Sequence, residues 1–206
     1  MLTDSPKVEL VERLVDDERT VKFDSGDSSF LRAYSEFLHY FADRPTLTEH
    51  DLIVGAHFSY GWMPTILHCS VEDLAPALTA LNLARDGSDL DAEQLGQLQR
   101  FVNGSITGAS KLLHFVQPSL FSIFDSRVDR YRSTGKSRHY YQINEPKQYI
   151  ACLSECREAA SHVKFASAHA SMQKKVGYPI TPLRAVELIM YTKGARFDAA
   201  VLNVPI

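Results

Sequence analysis

Apolar residues recur along this chain every three or four positions and do not alternate convincingly, a pattern that predicts helices throughout. In residues 7–18, Val8, Leu10, Val11, Leu14 and Val15 give an acidic segment one apolar face. Asp24-Ser25-Gly26-Asp27-Ser28 reads as a turn and cap cluster. A helix over residues 29–42 follows, with Phe30, Leu31, Tyr34, Phe37, Leu38 and Phe41 as its core stripe. Thr46 and Glu49 have capping-box spacing ahead of a helix that reaches about residue 57. Ser59-Tyr60-Gly61-Trp62-Met63-Pro64-Thr65 is then an aromatic loop that either packs an interhelical corner or walls a base pocket by stacking, with Tyr60 and Trp62 as the candidate residues. Helices over about 70–85 and 91–102 carry Leu74, Leu78, Leu81 and Leu83, then Leu95, Leu98 and Phe101. Residues 146–172 form a long polar helical region. Thr181 caps a last helix with Pro182 at its first position and Lys193-Gly194 as its stop. The apolar tail is expected to pack back on the domain. The fold expected is all-α, about nine or ten helices forming one unit over residues 1–206.

Composition narrows the function classes. The chain of 206 residues is 45% hydrophobic and 23% charged with net charge −3, so a nucleic-acid partner has to be met by a local basic patch rather than by overall charge. No apolar run approaches the roughly 18 residues of a membrane span, and residues 1–7 lack a secretory core, so a cytoplasmic protein is expected. Cys69, Cys152 and Cys156 do not make a disulfide framework. Cys152, Cys156 and His162 lack a fourth ligand, so no metal is expected, and no cofactor fingerprint or Walker loop appears. Ser110, His114 and Asp125 lack the Gly-x-Ser-x-Gly elbow of a hydrolase triad.

The chemistry concentrates in residues 103–132. Asn103-Gly104-Ser105 is a polar turn that opens an apolar helix, and Gly104 and Gly108 permit close backbone approach beside helix-start amides suited to phosphate oxygens. Pro118 ends that helix. The mostly apolar run Leu120-Phe121-Ser122-Ile123-Phe124 then delivers Asp125 to the N-cap of a helix beginning Ser126-Arg127-Val128. A carboxylate at the edge of an apolar pocket is a candidate acid, base or cation stabiliser. Arg127, Arg130, Arg132, Lys136 and Arg138 follow against one acid, Asp129, with tyrosines interleaved: a solvated helix face and loop, or a phosphate-contacting strip.

Phe121-Ser122-Ile123-Phe124-Asp125-Ser126-Arg127-Val128, with the turn before it, resembles the helix-hairpin-helix DNA glycosylases, in which an aspartate after a short apolar run is catalytic. The resemblance covers residues 103–132. It implies a two-lobed helical domain with a cleft, DNA as partner, and base excision by Asp125. Gly104, Ser105, Thr107, Gly108, Arg127, Arg130, Lys136 and Arg138 are the implied DNA contacts. Asn103-Gly104-Ser105 replaces the family's proline-glycine hairpin, and the cysteine loop that holds an iron–sulfur cluster in some members is absent. One alignment sets Lys111 at the lysine of bifunctional members; the favoured one, anchored on Ala109, sets Thr107 there. Lys111 is therefore a candidate catalytic or phosphate-contacting residue, and the expected enzyme is a monofunctional N-glycosylase. The alternatives are a non-catalytic DNA-binding protein, in which Asp125 is only a cap, or a nucleobase-modifying enzyme on the same scaffold.

Overall fold

A computed structural model describes residues 6–23, 28–61, 66–136 and 138–197. Eleven α-helices lie among them. They are α1 (Pro6–Glu18), α2 (Ser28–Ala42), α3 (Glu49–Gly61), α4 (Leu74–Arg85), α5 (Ala92–Phe101), α6 (Ile106–Val116), α7 (Ser126–Arg132), α8 (Tyr140–Ile143), α9 (Pro146–Ser161), α10 (Ala166–Val176) and α11 (Pro182–Gly194). Short 3-10 turns occupy Val163–Phe165 and Ala195–Phe197. The described residues hold no strand; one isolated antiparallel bridge joins Cys69 to Val102. The fold is all-α, and no described helix is long and apolar enough to cross a membrane. The 24–27 turn residues, Trp62 with the rest of 62–65, and the apolar tail 198–206 lie outside the described residues.

Two helices organise the rest. Of the residues of α6, only Thr107 and Lys111 are not fully buried, and the helix packs on α2, α3, α4, α5 and α9. A helix apolar nearly all round belongs inside a core. In α11, every residue from Leu183 to Met190 is buried, among them Arg184 and Glu187, and the helix packs on α1, α7, α9 and α10. One continuous set of buried apolar side chains runs from Leu10 in α1 to Met190 in α11.

Local chemistry fixes the helix starts. Asp91 and Gln94 close a capping box on α5. Ser105 accepts from the Gly108 amide at 3.1 Å to open α6. Thr181 caps α11 through the Arg184 amide at 3.1 Å, ahead of Pro182. The turn between α5 and α6 has Asn103 at φ 57° and Gly104 at φ 63°, a left-handed pair that reverses the chain in two residues.

Three expectations are corrected. The box that opens α3 is not Thr46 with Glu49 but Thr48 with Asp51: the Thr48 hydroxyl donates to Asp51 at 2.7 Å and the Thr48 amide at 2.9 Å. Ser59, Tyr60 and Gly61 are not loop but the last residues of α3. The 146–172 region is broken at His162, whose Nδ1 accepts from the Lys164 amide at 3.2 Å and starts the 3-10 turn before α10.

The last residue of α11, Gly194, is a glycine for a packing reason. A Cβ there would sit 2.2 Å from the Arg127 carbonyl oxygen, which is backbone and cannot rotate away. We expect Gly194→Ala to lower the unfolding free energy by about 1–3 kcal/mol, the usual cost of overpacking, read from urea denaturation. An unchanged midpoint would show that α7 and α11 can separate freely.

Candidate active site

The segment 121–125 is neither helix nor strand and its first four residues are buried, so its backbone polar groups need partners that no helix supplies. Side chains of the core provide them. His114 Nδ1–H donates to the Phe121 carbonyl at 2.7 Å, the Tyr149 hydroxyl to the Ser122 carbonyl at 2.9 Å, and the Phe124 amide to Ser110 Oγ at 2.9 Å. With Nδ1 as donor, the far nitrogen of His114 is the acceptor, and the Tyr34 hydroxyl donates to it at 2.8 Å. This frame sets the position of Asp125 at the head of α7, where its Oδ1 accepts from the Arg127 and Val128 amides, each at 2.9 Å.

His114 is neutral for a physical reason: complete burial pushes its pKa down from 6.5 to about 3. The unfolded chain then binds a proton that the folded chain refuses, so this contribution is full above pH 6.5 and is lost as pH falls below it. Between pH 7 and pH 5 we expect the wild type to lose about 2 kcal/mol relative to a His114→Gln variant, from about 1.4 kcal/mol per pH unit, measured by urea denaturation at the two pH values. Parallel stabilities at both would place the proton elsewhere.

Asp125 opens on a cavity of about 70 Å³. Its charged walls are Lys111 from α6, Asp125, and Arg184 and Glu187 from α11; Ile123, Leu188 and the Tyr191 ring complete it. Burial raises the Asp125 carboxyl above its usual range, against the opposing pull of the two cap amides and Lys111. Burial lowers the Lys111 ammonium, with Asp125 and Glu187 opposing that shift. Burial also raises Glu187 to about 7, although Arg184 beside it favours the charged form. Arg184 and Glu187 form an ion pair one helical turn apart, each side chain 2% exposed, and the guanidinium lies 4.5 Å over the Tyr34 ring. Two carboxylates and two cations thus line one small, partly open pocket, an arrangement suited to holding a positive centre or moving a proton.

The other sequence-predicted residues distribute unevenly. Lys111 faces the cavity rather than the surface turn. Gly104 is exposed at the turn, Ser105 is its helix cap, and Thr107 is half-buried beside it. Gly108 is no exposed phosphate contact: it is buried, its amide serves Ser105, and a Cβ there would meet the Tyr60 hydroxyl at 2.6 Å. Tyr60 is a core residue whose hydroxyl donates to the Val102 carbonyl at 2.8 Å, so it braces the turn and does not line the cavity. Arg127 stacks 5.0 Å over Tyr191. Arg138 is turned inward, 3.7 Å from the buried Asp129 and donating to Gln148, and Arg132 forms a two-pronged pair with Glu155 at 2.6 and 2.8 Å. Arg130 is half-buried on α7, and Lys136 is exposed. The basic run therefore neutralises the protein's own carboxylates as well as facing solvent.

Arg184, Glu187 and Tyr191 escaped the sequence reading. The available signal was an arginine and a glutamate three residues apart inside the otherwise apolar run 183–190. Cys152 and Cys156 are buried with sulfurs 3.9 Å apart, and no group of three or more His, Cys, Asp or Glu fit to hold a metal occurs among the described residues. Comparison with family models, with curated proteins and with solved structures gives no match to this chain.

Proposed function

We propose that this protein is a DNA base-excision N-glycosylase that hydrolyses the bond between a modified base and its sugar, with Asp125 as the catalytic carboxylate. The observation that carries the reading is the shared cavity: Asp125, delivered by a segment pinned through its backbone, and Lys111, from the helix after the Asn103-Gly104 turn, line one partly open space. As the base departs, positive charge builds on the sugar, and a carboxylate held in a low-dielectric wall stabilises it more than water does. Reaching that carboxylate requires the nucleotide to leave the duplex stack. The cavity's 70 Å³ is below the roughly 150 Å³ of a cavity that takes up benzene. The reacting sugar edge and a water molecule therefore belong inside it, and the base stacks outside. Gly104, Ser105, Thr107, Arg127, Arg130 and Lys136 are the backbone contacts in this reading, and no cofactor is needed.

A second reading is favoured by the placement of Lys111. Burial lowers its pKa, which favours the unprotonated amine, the form able to attack the sugar carbon in place of water. Borohydride added during turnover of modified-base duplexes separates the two. Hydrolysis gives free base and an abasic site with no trapped complex, and Lys111→Ala still releases base. A covalent complex lost in Lys111→Ala assigns the attack to the lysine. Duplex binding with no base liberated from any member of the panel rejects both.

A further inference from the structure

We propose that Glu187 is the proton acceptor for the attacking water, which sits in the cavity beside Asp125 and the Arg184–Glu187 pair. The inference rests on the hydrolytic N-glycosylase reading and deepens it by adding a second catalytic carboxylate.

Three observations support it. Glu187 reaches the cavity from α11 while Asp125 reaches it from the start of α7, so the carboxylates approach one space from different elements. Arg184 is 2% exposed, and its Nη1 is committed to Glu187 Oε2; its Nη2 is buried and has no protein hydrogen-bond partner among the described residues. A buried N–H of that kind marks a polar group whose satisfaction the protein leaves open, and Arg184 and Glu187 both line the cavity in which the water is placed. The cavity also has the right size. At about 70 Å³ it exceeds the roughly 10–15 Å³ of probe-occupied volume one water needs.

The two carboxylates are not equivalent. Asp125 accepts two backbone amides through Oδ1, bonds that work against the burial raising its carboxyl and so favour the charged form suited to a developing cation. Glu187 meets Arg184 and Tyr191 on its own helix, Lys111 from α6, Asp125 from the start of α7, Tyr34 from α2 and Tyr149 from α9. Burial, opposed by the arginine, sets it to about 7, where a group both takes and returns a proton at neutral pH.

The step balances as follows. A water O–H bond breaks and its proton goes to Glu187. The water oxygen forms a bond to the sugar carbon. The carbon–nitrogen bond breaks and its electron pair leaves on the base nitrogen, and Glu187 then returns the proton to the departing base or to solvent.

The test is single-turnover base release by the full chain on a releasable modified-base duplex, from pH 5.5 to 8.5, for wild type, Glu187→Gln and Glu187→Asp. The proposal expects the wild-type rate to rise tenfold or more to a plateau above pH 7, Glu187→Gln to lose that rise and at least 100-fold in plateau rate while binding the duplex equally, and Glu187→Asp to recover part of both. A wild-type rate flat across this range, or a Glu187→Gln profile that superimposes on wild type, overturns the proposal and leaves the glycosylase reading standing. Failure of the wild type to release any base at any pH overturns that reading and this inference together. The wild-type profile needs no variant to fold.

Discussion

We expect Asp125→Asn to bind modified-base duplexes like the wild type and to release base at least about 1,000-fold more slowly, the upper range for loss of one preorganised electrostatic group. The size of the effect follows from where the charge sits. Asparagine keeps the cap geometry, because its side-chain oxygen accepts from the Arg127 and Val128 amides as the carboxylate does. It keeps no negative charge. The wall it belongs to keeps Lys111 and Arg184 and is left with the single carboxylate of Glu187, so the variant site is less able to offset the sugar cation of the proposed reaction. Circular dichroism and the urea midpoint should stay near wild type. A variant that is folded and fully active would leave Asp125 as a cap alone.

Arg184→Ala has the largest expected effect on stability, about 3–5 kcal/mol, the cost of stranding one partner of a buried ion pair. Glu187 is left 2% exposed with its cation gone, and Tyr34 loses the guanidinium stacked on its ring. The double variant Arg184→Met with Glu187→Leu removes both charges and keeps the volume. It should recover most of that loss, because well-packed apolar residues often match a buried pair. Urea denaturation of the two variants beside wild type decides the matter. If the double variant is no more stable than the single one, the cost lies in lost packing and not in the stranded charge.

The parts of the fold legible in the sequence are those governed by a few adjacent residues. Asp125 reads as a cap because an acceptor side chain precedes a helical run, and Thr181-Pro182 reads as a start because proline is preset for the first turn. Positions where two neighbours satisfy the same rule were harder. Thr46 with Glu49 and Thr48 with Asp51 have the same spacing, and the second pair wins through a threefold set of contacts that also places the Asp51 carboxylate 2.8 Å from Arg44. Ser59-Tyr60-Gly61 reads as loop, yet α3 includes all three, with Tyr60 anchored on the Val102 carbonyl 42 positions away.

The site was half legible for the same reason. Asp125 announces itself through its apolar flank and its cap position, and Lys111 through its place after the turn. Glu187 and Arg184 lie more than 50 positions further along, and only the packing of α11 on α7 carries them to the same cavity. The inward turn of Arg132 and Arg138 was equally hidden. A run of arginines reads alike whether it faces phosphates or, as for these two, the protein's own Asp129 and Glu155.

The central claim is that the cavity beneath Asp125 breaks an N-glycosidic bond. The most direct test incubates wild type and Asp125→Asn in excess over a panel of modified-base duplexes and quantifies liberated free base together with abasic sites. The account predicts equal amounts of base and abasic site from at least one duplex with wild type, and release at least about 1,000-fold slower with the variant at matched occupancy. Binding by wild type without liberation of base from any duplex, or release by Asp125→Asn at the wild-type rate, would contradict it.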